Sequence, residues 1–339
     1  MTLKKKNSSF ITGIVLLFFV LWGSSMFVEG SGGFTGFGQT TDLSGDDETL
    51  AFSYYHGDDA SLYTVPVTGG TAEPLAVPEE GKSFINPKFS PDDQNVAFVK
   101  EWTEEEQRYG QLMIVDRKTG QITALTDSDG LVTDAAFSPD GQSLFFLKAS
   151  VYKNYSSIAS KRPHDYDVYH YNLKTGATEQ ITYKNAYHMS DLTVTPDGKQ
   201  LMYRTYRNTD QIIFHSLEDG TTEKSMVPNG DFASNAPIIS SPELSPDGNK
   251  IVFSDVATKD KNGTFIYEGF LMDRDTAQAE QITSFHEHVS SPVFLSNGKK
   301  LIVTVNTQFA QRNPEYHYWQ ISLEGDKRER VDIKIPEGK

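Results

Sequence analysis

No cysteine occurs in the 339 residues, which excludes disulfides, thiol nucleophiles and a lipid-modified N-terminal cysteine. No G-x-S-x-G elbow is present, so nothing marks an activated serine. Positive charge is scarce: 31 Lys and Arg face 46 Asp and Glu, a net charge of −15. No basic cluster interleaves with aromatics, which argues against a nucleic-acid partner. The same excess of negative charge weakens attraction to anionic lipid or acidic polymer unless a metal bridges them. Beyond the N-terminus no long segment keeps apolar residues at a 3.6-residue period, so very little helix is expected. Nor can a glycosidase pair be picked out, because most carboxylates stand in turn positions.

What is there begins with a basic and apolar leader. Lys4, Lys5 and Lys6 precede an apolar stretch from Phe10 to Val28. Its strongest part, Ile14 to Trp22, has signal-peptide length, whereas the whole run nears the roughly 20 residues that span a bilayer. Residues 1–30 are read as a signal peptide or a membrane-anchor helix, residues 31–38 as a Gly-rich tether and residues 39–335 as one domain. The positive-inside rule puts that domain outside the membrane in either case. The expected location is extracytoplasmic, anchored or secreted, in a bacterial envelope.

The domain is written in six copies of one phrase. It reads DLSGDDETLAF from Asp42, FSPDDQNVAF from Phe89, FSPDGQSLFF from Phe137, VTPDGKQLMY from Val194, LSPDGNKIVF from Leu244 and FLSNGKKLIV from Phe294. The residues before the turn (Ser44, Ser90, Ser138, Thr195, Ser245, Leu295) are spaced by 46, 48, 57, 50 and 50. Such a period marks a modular stack or ring. Pro presets φ, Asp or Gly tolerates the reversal, and apolar bursts on either side are strands of a hairpin. A second phrase, as in LMIVDRKTGQITALT from Leu112, adds two more strands to each unit. A four-stranded sheet cannot bury both faces alone; ringing six of them around an axis does. Two twelve-stranded sandwiches would fit the equal repeats less well. The expected fold is all-β, a six-bladed β-propeller of four-stranded antiparallel blades. Six units in phase need no strand borrowed from the opposite end.

The xFSPDGxxLxF phrase followed by LYxxDxxTGxxxxLT resembles the TolB-like family, also called WD40-like or PD40 β-propeller repeats, over about 290 residues and all six copies. The resemblance implies a fold and leaves function open, since such propellers serve as docking scaffolds, as gating domains of peptidases and, less often, as enzymes.

Aligning the copies places one residue, four before each turn residue, at the start of each inner strand: Thr40, Asn86, Asp134, Asp191, Ser241 and Ser291. All six are polar and form a candidate ring at the channel mouth, able to hold a ligand or simply to satisfy backbone groups and waters. His188 and the His286-Glu287-His288 triplet lead into inner strands at the same end; His188, His286 and His288 are the candidate metal ligands, since imidazole with carboxylate suits a divalent transition metal. Oligogalacturonide lyases among PD40-type propellers use a histidine-rich manganese site, so the resemblance implies one alternative. That alternative is a metal-dependent envelope enzyme acting on an acidic polysaccharide, with Asp134 or Asp191 in support. Asp127 to Gly130 looks like part of a calcium loop but lacks the Glu at the twelfth position. The longest insertion, Lys148 to Asp167, lies between the second and third strands of the third unit. Rich in Tyr and base, it is the candidate binding loop, through Tyr152, Lys153, Tyr155, Lys161, Arg162 and His164. Trp102, Trp319 and Tyr316 stand near comparable crossings.

The leading expectation is a non-catalytic scaffold with no cofactor. Its partner would be a protein or peptide of the envelope, with membrane contact through the N-terminal segment only.

Overall fold

The computed structural model describes residues 33–156, 158–311, 313–323 and 327–336. The leader and the first two residues of the tether lie outside the described residues. Among the described residues there is no helix, and so none long and apolar enough to cross a membrane.

Six four-stranded antiparallel units follow one another. Unit 1 holds β1 (Gly36–Leu43), β2 (Thr49–His56) and β3 (Asp59–Pro66), then β4 (Gly70–Thr71) and β5 (Glu73–Ala76), of which β5 completes the sheet. Unit 2 holds β6 (Lys82–Phe89), β7 (Asn95–Glu104), β8 (Gln107–Asp116) and β9 (Ile122–Ala124). Unit 3 holds β10 (Leu131–Phe137), β11 (Ser143–Lys153), β12 (Arg162–Asn172) and β13 (Thr178–Gln180). Unit 4 holds β14 (Met189–Val194), β15 (Gln200–Tyr206), β16 (Asp210–Ser216) and β17 (Glu223–Met226). Unit 5 holds β18 (Ser240–Leu244), β19 (Lys250–Lys259), β20 (Phe265–Asp273) and β21 (Ala279–Gln281). Unit 6 holds β22 (His288–Phe294), β23 (Lys300–Asn306), β24 (Tyr316–Ser322) and β25 (Arg328–Arg330), with β26 (Ile333–Lys334) beyond it.

The turn phrase folds the same way in five units. The hydroxyl of Ser44, Ser90, Ser138, Thr195 or Ser245 donates to the Asp two residues on, at 2.6 Å each time. The same oxygen accepts the N–H five residues on, at 2.9–3.0 Å. The residue three after the hydroxyl adopts positive φ, which Gly or Asp tolerates. In the sixth copy Leu295 has no hydroxyl, and Asn297 keeps only its bond to the Lys299 N–H, at 2.8 Å.

Between each pair of neighbouring units lies an apolar core. Phe98 and Met113 of unit 2 pack with Leu62 of unit 1, and Phe253 and Met272 of unit 5 with Met202 and Phe214 of unit 4. Unit 6 returns to unit 1 in the same manner, Tyr318 and Ile302 packing against Leu50, Phe52 and Tyr63. Burying each such aromatic or aliphatic side chain contributes about 1.5–3 kcal/mol. The closing seam is further held by the Tyr318 hydroxyl, which donates to Gly38 O at 2.9 Å, and by parallel pairing of β26 with β4.

Two expectations change here. β1 starts at Gly36, so part of the expected tether is strand, and the chain beyond the sixth unit pairs with the first. The long insertion of unit 3 is not a loop. β11 and β12 stay paired as far as Lys153 and Arg162. Hairpins β7–β8 and β19–β20 are long as well, with strands of 9–10 residues against 7–8 in units 1, 4 and 6.

Candidate functional site: a polar funnel at the start of the inner strands

The first strands of all six units line one cavity of about 360 Å³, and every member of the expected ring borders it: Thr40, Asn86, Asp134, Asp191, Ser241 and Ser291. Each inner strand breaks register against its neighbour at this level. Asn86, Asp191, Ser241 and Ser291 sit there at φ of 45–59°, a bulge that bends the strand. Pro87, Pro242 and Pro292 follow three of them, as suits a position whose N–H would be left over.

Much of the ring is bonded to itself and to backbone. Thr40 Oγ1 donates to Asn86 Oδ1 at 3.0 Å, and Asn86 Nδ2 donates to Thr133 O at 2.8 Å. Asp134 accepts the N–H groups of Ala135 and Leu192, both at 2.9 Å. Ser241 and Ser291 place their hydroxyls 3.4 Å apart. Arg204 is the hub of one side. It donates through Nε to Asp191 at 3.0 Å and through Nη1 to Ile239 O at 2.6 Å, and Nη2 lies 3.4 Å from His188 Nε2.

Deeper in, the next residue on the same strand face is charged in three units: Asp42, Lys88 and Glu243. Lys88 Nζ lies 3.4 Å from Asp42, whose other oxygen accepts the Phe89 N–H at 2.7 Å. Side-chain exposure is 27% for Lys88, which borders the funnel lumen, and 15% for Asp42. Burial works against the Lys88 charge, but Asp42, Glu243 and Asp134 outweigh it and hold the ammonium well above its usual range. Burial also pushes Asp42 up, against the pull of Lys88. Glu243 is pushed up to about 7 by burial, with Lys88 opposing and Asp42, Asp191 and Asp134 reinforcing. Asp134 is pushed up to about 6, again chiefly by burial.

The three histidines do not converge. His188 borders the funnel, where burial and then Arg204 lower it to about 4. His286 is exposed at φ 58°, and its N–H donates to Glu268 at 2.6 Å. His288 stacks on Phe309, ring centroids 4.1 Å apart at 5°, with Tyr267 edge-on at 4.6 Å. Burial lowers it to about 4, and its buried Nδ1 has no hydrogen-bond partner among the described residues. Among the described residues no three His, Asp or Glu are arranged to hold a metal ion. Asp167 and Glu268, both buried, serve the outer strands instead, accepting Thr182 Oγ1 at 2.8 Å and Thr283 Oγ1 at 2.5 Å.

The candidate loop residues lie on the long hairpin of unit 3. Tyr152 and Lys153 face Pro163 and Arg162, Tyr155 packs edge-on against His164, and Lys161 pairs with Glu106 of the neighbouring hairpin at 2.8 Å. Trp102 stacks on Tyr109 across the β7–β8 hairpin, and Trp319 fills the core between units 5 and 6. Asp127 to Gly130 is the connection between β9 and β10.

A family model described as the TolB beta propeller domain (PD40) matches residues 39–240, more than half of the chain. The chain belongs to the TolB β-propeller family. TolB of Acinetobacter baumannii is 20% identical at a TM-score of 0.61, covering 85% of this chain and 64% of its own. This propeller therefore spans a little under two-thirds of that TolB. The putative TolB of Agrobacterium tumefaciens is 18% identical at a TM-score of 0.52, over 73% of this chain and 80% of that one. An oligogalacturonate lyase in complex with manganese is 16% identical at 0.57, over 88% and 77%. At these identities the likeness to solved structures is one of fold. No curated protein matches the chain in sequence.

Asp42, Lys88, Glu243 and Arg204 were not among the residues expected at the site. The first three had a signal: two residues before the turn, a charge interrupts an otherwise apolar strand. Arg204 had none, because it reaches the funnel from a second strand whose alignment over the mouth is a tertiary matter.

Proposed function

We propose that this TolB-family chain is an extracytoplasmic six-bladed scaffold without catalytic activity that docks a protein or peptide partner over its funnel, targeted or anchored through residues 1–30. The supporting observation is how the funnel uses its polar groups. Asp134 and Asp191 direct their oxygens to backbone N–H groups and to Arg204, which suits a rigid receptor rim better than a general acid or base. The enzyme reading would need His188, His286 and His288 around one metal, and they stand apart on units 4 and 6.

A photo-crosslinking residue at Thr40 or Ser291 of the full chain, in the cells that make it, tests the proposal. A discrete protein adduct from these positions, absent when the probe replaces Asp140 on the opposite turn, is the expected result. No adduct from either funnel position sinks docking at the mouth. Manganese-dependent cleavage of oligogalacturonate that is lost in His188→Ala would put the enzyme in its place.

A further inference from the structure

Above units 3 and 4 stands an aromatic cluster that the funnel does not use. Tyr155, at the end of the β11–β12 hairpin, lies edge-on to His164 at 4.2 Å and 88°, and 5.2 Å from Tyr187 at 64°. His164 Nδ1 is 3.0 Å from Tyr187 O, which pins the hairpin to the strand-entry segment of unit 4. Tyr155 and Tyr187 nevertheless remain 48% and 50% exposed, and Ile158 at the tip is 96% exposed. Tyr187 also borders a cleft of about 340 Å³, whose lining includes Tyr206 and Arg207.

The anions here are engaged. Glu223 accepts the Tyr203 hydroxyl at 2.9 Å and pairs with Lys184 at 2.9 Å and His215 at 3.2 Å. Asp165 accepts the Tyr155 hydroxyl at 3.3 Å, and Glu106 holds Lys161. Three cations are not: among the described residues the guanidiniums of Arg162 and Arg207 have no hydrogen-bond or ion-pair partner, and Lys153 has only the Tyr155 ring, at 4.7 Å. The free charge of this patch is positive on a chain of net charge −15.

We infer that Tyr155, Ile158, Arg162, Tyr187, Tyr206 and Arg207 form a second docking surface, for an acidic segment of a partner protein bearing apolar side chains. The inference rests on the scaffold reading and adds the chemistry of the partner. Carboxylates meet the two guanidiniums, and an apolar side chain enters the cleft; Tyr and Arg are the residue types that dominate binding hot spots. An acidic glycan fits less well. Sugars stack on ring faces, and here Tyr155 is packed against His164 and Tyr187 while Lys153 covers a face of its ring.

Selection of a random peptide library on the immobilised full chain reads this chemistry directly. The expected peptides pair Asp or Glu with Leu, Phe or Trp. Their affinity falls about tenfold or more in Arg162→Ser/Arg207→Ser, and also in Ile158→Ser, whose exposed side chain the fold does not need. Circular dichroism checks that both variants stay folded. Peptides without acidic residues, or indifferent to both variants, overturn the inference. So does binding that fails in Asp134→Asn but survives in Arg207→Ser, an outcome that leaves the scaffold reading in place; no selected peptide at all counts against both. Oligogalacturonate binding, or dimerisation of the chain, that disappears in the same Arg variants would reassign the surface to a glycan or to a second copy.

Discussion

At the turn end of the inner strands the same few bonds recur from unit to unit, whereas at the funnel end the side chains and their partners change around the ring. The turn end is also a belt. A β-carbon on Gly141 would stand 3.6 Å from Pro91 of the preceding unit, and Gly198, Gly248 and Gly298 face Pro139, Pro196 and Pro246 at 3.5–3.9 Å. Where the preceding turn has no Pro, the Gly is replaced. Asp93 accepts the Gly45 N–H at 2.8 Å, and Asp47 accepts Ser296 N at 2.8 Å and Ser296 Oγ at 2.6 Å. The two copies that look degenerate are thus matched to their neighbours: Pro meets Gly, and a free N–H meets Asp. The funnel end has no such rule. Its acids and bases have individual partners, as expected where ring geometry does not dictate the residues.

Breaking the mouth side where backbones meet should cost most. A β-carbon at Gly110 would stand 2.0 Å from Val132 O, where β8 touches β10. Gly110→Ala is expected to lose about 3 kcal/mol or more in denaturant unfolding, the upper end for overpacking. A loss under 1 kcal/mol would show that the junction of units 2 and 3 is soft.

Next comes the charge in the funnel. Glu243 and Asp134 have folded values raised above 4.5 and 3.8, so protonation favours the fold. Their contribution is full below about pH 4 and is lost as pH rises through about 6 and 7. His188 and His288 act oppositely: lowered from 6.5 to about 4, they stabilise above 6.5 and lose that contribution as pH falls towards 4. The opposed slopes partly cancel below 6.5, leaving Glu243 to dominate above it. Glu243→Gln should therefore raise stability at pH 8 by on the order of 1 kcal/mol and flatten the profile between pH 6 and 8. Thermal unfolding across that range decides it; an unchanged slope would mean that lumen water screens the cluster.

The belt should respond less, and in pairs. Asp47→Gly removes the Ser296 bonds at about 0.5–1.5 kcal/mol, and Ser296→Pro alone leaves Asp47 without its partner. Together they install the Pro–Gly pairing of the other turns, so the double variant should be less destabilised than the sum of the singles. Strict additivity would dismiss the matching rule. Smallest of all is the tie between hairpins: Lys161→Ala breaks an exposed, solvent-screened ion pair with Glu106 and should leave the unfolding midpoint in denaturant unchanged.

The turns were readable because the bonds within each are local in sequence, hydroxyl to Asp two residues on and N–H five residues on, whereas the links from turn to turn, Asp93 to Gly45 and Asp47 to Ser296, are not. The ring of six polar residues was readable for the same reason, through alignment to that turn. The register breaks at Asn86, Asp191, Ser241 and Ser291 left only a faint trace, the Pro after three of them. The separation of His188 from His286 and His288 depends on which units they enter, and the triplet alone carries no such information. The unit 3 insertion read as a loop because Tyr, Ser and Lys break the apolar alternation of a half-buried strand. Above the ring such alternation is not required, and cross-strand pairing suffices.

The long hairpins of units 2, 3 and 5 have a consequence for how anything lands on the funnel. A mouth built from six similar strands offers an approaching molecule six nearly equivalent headings. Unequal walls remove that degeneracy: Arg108 and Glu101 from one hairpin, and Pro163 and Tyr166 from the next, border only one side. Choosing one heading out of six is worth about 1 kcal/mol of selectivity, RT ln 6. The repeat gives the molecule its closure, and the broken symmetry of its rim gives it a compass.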